Sequence, residues 1–268
     1  MSVENNNLSA EIDQKWKQIK DIIKKEKPLI HHITNNVTVN DCANITLNLG
    51  ALPVMAPGAE ESAQMVENAS ALVLNLGTIS SSQLDSMLKA GRRANQLGIP
   101  VILDPVGVGS TEFRNKAAHK LITELELTVI KGNQGEISFL AGQKAEVKGV
   151  EAIGNYSQIE LTAENLAAKL NTIVVVSSKI DIISDGKITK KINRGSPLMA
   201  EVVGTGCMLG STLAVFTAAA GSSNFKLIEL LETAVYHYAL AAEKAAAKEQ
   251  TPAKFKREFM DNIYLKMN

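Results

Sequence analysis

Residues 71–106 read ALVLNLGTISSSQLDSMLKAGRRANQLGIPVILDPV, and this stretch decides the fold. Short apolar runs at 71–77 and 100–106 flank a segment, 81–97, whose apolar residues recur three and four positions apart. The runs have the length and composition of strands, and the spacing between them is one face of a helix. The same rhythm extends outward. Further strands are expected at 28–34, 52–56, 127–132 and 172–178, and a further helix at 161–170. Val174, Val175 and Val176 form a continuous run rather than an alternating one, which fits a strand covered on both sides. Strand, helix, strand in sequence predicts an α/β fold, a mainly parallel central sheet with helices on both faces. Asp185-Gly186 interrupts the rhythm as a hairpin turn between 181–185 and 187–193, and from Gly206 onward the chain reads as helical. With no linker, repeat or low-complexity segment in view, residues 1–268 are expected to form a single domain.

Bulk composition removes several classes of function. Lys plus Arg is 28 and Asp plus Glu is 28, so no basic face is available for nucleic acid or a membrane surface. Cys42 and Cys207 lie far apart without metal-ligand spacing, which suits free thiols in a reducing cytoplasm. Residues 1–10 are polar and carry no signal region, and no apolar run approaches membrane-spanning length.

In an open parallel sheet ligands bind beyond the carboxyl ends of the strands. The chemistry-bearing residues fall there. Gly204-Thr205-Gly206-Cys207 precedes a long helix of small residues, so main-chain N–H groups and a helix dipole would face an anion. Taken alone, the tetrapeptide is equally well a tight turn entering a packed helix. A thiol in that first turn is expected to be acidified, although an isolated cysteine is more often packing. Asp104 ends a buried strand before a glycine-rich loop, and Asn133 and Glu136 share one side of a helix start. Such carboxylates suit hydrated Mg²⁺, while helix capping is the plainer reading of Asn133 and Glu136. Lys131 could neutralise charge on ATP. His31 and His32 are adjacent on a strand, point to opposite faces and cannot chelate one ion. Gly107-Val108-Gly109 lacks the third glycine of a dinucleotide site, and the Walker pattern is missing.

Together, HHITNNVTVNDCANITLNLGALPVMAPGAEE, LVLNLGT, VILDPVGVGST, VIKGNQGEI and VVGTGCMLGST make the chain resemble the hydroxyethylthiazole kinase family of the ribokinase-like superfamily, over residues 29–238. The resemblance implies a three-layer ribokinase-like architecture and transfer of the ATP γ-phosphate to 4-methyl-5-(2-hydroxyethyl)thiazole in thiamine salvage. It places Met55, Gly204 and Asn35 at the thiazole, and Lys131 and Ser177 at ATP. Asp104 and Glu136 fall around Mg²⁺, and Cys207 takes the place of an Asp that serves the superfamily as general base. Gly204, Thr205 and Gly206 become the anion hole, and a homotrimer with sites between subunits is expected. Two departures stand out. His31-His32 replaces a histidine followed by Asn, and Ser177-Ser178-Lys179 replaces Thr-Gly-Glu, which leaves the ATP contact between Ser177 and Ser178.

Three alternatives remain open at this level. The alcohol could be a hydroxymethylpyrimidine or pyridoxal; the chain could be a non-catalytic nucleotide-binding relative; or it could be a nicotinamide oxidoreductase without its fingerprint.

Overall fold

The computed structural model describes residues 3–143, 146–148, 151–153 and 158–268. Its order is α1 (Val3–Glu26), β1 (Leu29–Ile33), α2 (Val39–Asn48), β2 (Leu52–Met55), α3 (Ser62–Val66), β3 (Ala71–Asn75), α4 (Ser81–Leu97) and β4 (Val101–Asp104). Then follow α5 (Glu112–Glu124), β5 (Val129–Asn133), α6 (Gln134–Leu140), β6 (Glu146–Lys148), β7 (Glu151–Ile153), α7 (Ile159–Leu170) and β8 (Ile173–Ser177). β9 (Asp181–Ser184), β10 (Thr189–Ile192), α8 (Thr205–Ala219), α9 (Leu227–Lys248) and α10 (Pro252–Met267) complete it.

The main sheet has eight strands in the order β10-β9-β8-β5-β4-β3-β1-β2. From β2 to β8 neighbours run parallel, and the β9–β10 hairpin adds an antiparallel edge. Strand side chains alternate between two cores. Ile30, Val73, Ile102 and Val175 face α1, α8, α9 and α10, whereas Leu72, Leu74, Leu103 and Val174 face the layer containing α4 and α7. The expected α/β architecture is borne out. The helix read at 81–97 matches α4, which Ser80 caps by accepting from the Gln83 N–H and Gly98 ends in the left-handed region at φ 69°.

The sequence reading assigned no element to α1. Ile12, Trp16, Ile19 and Ile23 are all at most 3% exposed, and their spacing of four, three and four makes one buried face against α8 and α9. Polar residues at 1–10 hid this helix, because the periodicity starts only at Ile12. The Asp185-Gly186 turn is also wider than a two-residue hairpin: Asp185 Oδ1 accepts from the N–H groups of Lys187 and Ile188, closing the loop through an Asx turn.

The chain leaves β1 outward to β2 and then returns to β3 on its other side. That reversal opens a crevice between the ends of β1 and β3, the place where an open α/β sheet binds ligands.

Candidate functional site

At this crevice the structure gathers groups that lie up to 172 residues apart. Asn75 and Asp104 are partners in the β3–β4 register, so their side chains stand together at the strand ends. Asn75 Nδ2 donates to Asp104 Oδ2 at 2.9 Å and reaches Cys207 Sγ at 3.4 Å. Asn35 Nδ2 donates to Asn75 Oδ1 at 2.9 Å and also reaches Cys207 Sγ, at 3.4 Å. Lys131 Nζ sits 3.4 Å from Asp104 Oδ1, both side chains enclosed by protein. Cys207, Asn35, Asn75, Asp104 and Lys131 therefore form one connected cluster.

Glycines allow α8 to enter this cluster. Gly204, at φ 101°, starts the helix, and a Cβ there would stand 3.0 Å from Thr38 Cγ2. A Cβ on Gly206 would stand 3.1 Å from Lys131 Nζ, so the bare backbone gives the ammonium room to lie against the helix start. The N–H groups of Thr205, Gly206 and Cys207 open α8 and have no carbonyl within the helix to bond. Tyr238 OH donates to Thr205 O and pins the loop to α9. Cys207 thus lies at the amino end of a helix, beside a cation and below free main-chain donors.

The electrostatics correct one expectation. A thiol in a first helical turn should be acidified, yet burial and then the Asp104 charge push Cys207 above its ordinary value. Lys131, Thr38 and Asn75 pull the other way without prevailing. Burial likewise raises Asp104. It works against the Lys131 ammonium too, but the Asp104 and Glu136 charges hold that pKa up. Glu136 is pushed to about 7, by burial first and the Asp104 charge second.

Glu136 carries out the capping role that was weighed for it. Asn133 Oδ1 accepts from the Glu136 N–H at 2.9 Å, and Glu136 Oε2 accepts from the Asn133 N–H at 2.8 Å. Its other oxygen accepts from Gly107 N–H at 2.8 Å, which ties the DPVGVG loop to α6. Among the described residues no group of three or more His, Cys, Asp or Glu is arranged to hold a metal ion. Asp104 and Glu136 nevertheless fit a hard, hydrated cation. Both are buried carboxylates, the Asp104 charge raises the charging cost of Glu136, and each oxygen of Glu136 keeps a lone pair beyond its backbone bond.

Other expected residues stand on the same edge of the sheet but outside this hydrogen-bonded cluster. Met55 ends the edge strand β2, half-buried, in register with His32. Ser177 ends β8 in register with Asn133, and its hydroxyl donates weakly to Gly132 O at 3.4 Å. Ser178 Oγ turns instead to Ile180 O. The histidines separate as expected: His31 Nε2 meets Ala56 O at 2.9 Å and His32 Nε2 meets Ser211 Oγ at 3.1 Å.

Two residues of the site went unassigned by sequence reading. Asn75 lay within the LNLGT run, but nothing there pointed to four simultaneous partners. Arg114, on α5, donates to the carbonyls of Leu76, Gly77 and Val106, clamping the loops after β3 and β4. An arginine in the first turn of an amphipathic helix carries no sequence signal of that role.

A family model described as the hydroxyethylthiazole kinase family matches residues 20–267. The chain is 46% identical over 250 residues to the hydroxyethylthiazole kinase of Thermoanaerobacter pseudethanolicus, covering 92% of this chain and 93% of that one. It is also 46% identical over 242 residues to that of Methanocella arvoryzae, covering 90% of each. The solved structure of a hydroxyethylthiazole kinase protein from Pyrococcus horikoshii superposes with TM-score 0.84 at 35% identity, covering 94% of this chain and 93% of that chain. A ribokinase-like superfamily protein from Enterococcus faecalis shares the fold, with TM-score 0.66 at 18% identity over 92% of this chain and 94% of that one.

Proposed function

The chain belongs to the hydroxyethylthiazole kinase family and transfers a phosphoryl group from ATP to the alcohol of 4-methyl-5-(2-hydroxyethyl)thiazole in thiamine salvage; from that premise we propose how its residues act. One observation carries the reading. The Cys207 sulfur, the Lys131 ammonium and the Asp104 carboxylate converge at the amino end of α8.

The alcohol lies between the Cys207 sulfur and the γ-phosphate, and the transfer runs in line. Transition states of such transfers are loose, so positioning and charge neutralisation supply most of the acceleration. Main-chain N–H groups of Gly204, Thr205, Gly206 and Cys207 act as the anion hole, each donor worth ~3 kcal/mol. Lys131 faces the ATP phosphates and Ser177 the nucleotide. Asn35, Met55 and Gly204 line the thiazole side, where a neutral ring needs apolar walls with few polar groups. Asp104 and Glu136 would hold a hydrated Mg²⁺, which supplies charge neutralisation at the phosphate oxygens when bound. Cys207, in its thiolate form, accepts the alcohol proton late in the transfer, and that assistance is worth ~10²-fold or somewhat more.

The 268 residues act as one domain in the cytoplasm; among the described residues no helix is long and apolar enough to cross a membrane. The assembly is a homotrimer with sites between subunits. Val37 and Val203, 66% and 69% exposed on loops beside the crevice, are apolar surface that a second copy would cover. Light scattering at working concentration checks this, and a monomer would refute it.

The deciding experiment measures ATP consumption with Mg²⁺ and hydroxyethylthiazole, hydroxymethylpyrimidine or pyridoxal. Turnover with the thiazole alone is expected. Turnover with another alcohol would remove the pocket roles of Met55 and Asn35, and turnover with none would remove the chemistry.

A further inference from the structure

Asn75 closes β3, is 1% exposed, and spends both ends of its side-chain amide. The nitrogen donates to Asp104 Oδ2 at 2.9 Å and to Cys207 Sγ at 3.4 Å. The oxygen accepts from Asn35 Nδ2 and from the Gly77 N–H, each at 2.9 Å. This orientation cannot be reversed. A carboxylate only accepts and a backbone N–H only donates, so Asp104 selects the nitrogen and Gly77 the oxygen. The residues tied in this way come from the loop after β1, the loop after β3, the end of β4 and the start of α8. A leucine of the same size would strip Asp104 of its amide donor, leaving it Lys131 alone, and would leave the buried Gly77 N–H without its acceptor.

We propose that Asn75 is a positioning residue for the phosphoryl transfer, holding the Cys207 sulfur in register with the Asp104 carboxylate across the crevice. The proposal rests on the reading that Cys207 faces the reacting hydroxyl. It adds the group that fixes where the sulfur stands relative to the phosphate side. The partners of the amide are all protein groups. The amide acts through them, and a displacement of 1 Å at such a centre costs about 10²-fold in rate.

Two variants test it. Asn75→Asp keeps the shape but replaces the amide nitrogen with a carboxyl oxygen that must share a proton with Asp104, and it removes the N–H donor to Cys207. Asn75→Ser keeps a polar group too short to span the partners, and carries the same readouts if the aspartate variant fails to fold. In either, kcat should fall about 10²-fold while KM for the thiazole and for ATP stays within about threefold. Independently of turnover, alkylation of Cys207 by iodoacetamide should slow several-fold in Asn75→Asp, because the sulfur loses the N–H donor that Asn75 supplies.

Wild-type kcat in the folded variants would overturn the proposal. So would an unchanged alkylation rate in Asn75→Asp, or a loss confined to KM and melting temperature, which is the signature of a merely structural residue. Failure of the premise looks different. Cys207→Ala would then retain full kcat, while alkylation of the wild-type and Asn75 variants would still report whether the amide holds the sulfur.

Discussion

The two ends of the central sheet carry opposite kinds of surface. At the carboxyl ends, Asn35, Asn75, Asp104, Lys131 and Cys207 are packed so tightly that their polar atoms bond one another. At the amino ends lies an open groove, about 940 Å³, between residues such as Ile99, Leu125, Leu170 and Thr172. It has volume but little chemistry. The Thr172 hydroxyl at its floor is buried with no partner, and the nearby Asn95 amide is spent on the Glu126 backbone. Volume alone therefore does not mark the place of catalysis. In a parallel sheet function follows the strand ends where the connections converge, and here only that end joins buried charge to an open helix terminus.

The sharpest way to break this contrast is at Asp104. Asp104→Ala removes the ion-pair partner of the buried Lys131 and leaves it only the more distant Glu136 charge. It should cost about 3–5 kcal/mol in stability and lower kcat/KM by at least about 10³-fold. Chemical denaturation and steady-state kinetics check the two effects, and near wild-type activity would dissolve the site.

Next in size is Cys207. Cys207→Ala should retain weak but measurable turnover, reduced about 10²-fold, while Cys207→Asp stays active. Because the thiol is raised, thiolate is a minor species near neutrality, so wild-type kcat should climb as pH rises toward the thiol pKa. Cys207→Asp should shift that climb to lower pH, since a carboxyl ionises below a thiol in the same buried setting. A flat wild-type profile would count against the base.

A smaller effect lies on the flank of the carboxyl edge. Burial pushes Asp181 to about 7, although it accepts from the Ser178 N–H. Its folded pKa exceeds its unfolded one, so the folded state binds more protons between about pH 4 and 7 and loses stability as pH rises through that window. Asp181→Asn preserves the accepting oxygen. It should melt above wild type at pH 7.5, and the two curves should converge near pH 4.

The smallest change belongs to the amino-end groove. Thr172→Val removes a buried hydroxyl that has no partner, so stability should rise by about 1 kcal/mol with kcat unchanged within about twofold. A large loss of activity there would mean that both ends of the sheet serve the reaction.

Legibility in the sequence followed the range of the interactions. α4 was readable residue by residue, because Ser80, the helical spacing and Gly98 are all local signals. α1 was not, since its buried face acquires meaning only against α8 and α9. At the site, Cys207, Lys131 and Asp104 were visible as residue types beyond strand ends, and the GTGC motif marked the helix start. Asn75 was visible as a strand-end residue but without a role, and Arg114 carried no signal, because their roles consist of partners tens of residues away.

By itself the sequence determined the alternation of strands and helices, the near-zero charge balance, the family motifs and the loops that had to carry the chemistry. Those depend on backbone preference and side-chain identity at neighbouring positions. Tertiary structure alone decided that Cys207 is held up rather than acidified, that the Asp104 charge raises Glu136, and that Asn75 joins the cluster. Desolvation and the field of neighbouring charges are properties of the packed interior, and no local pattern along a chain encodes them.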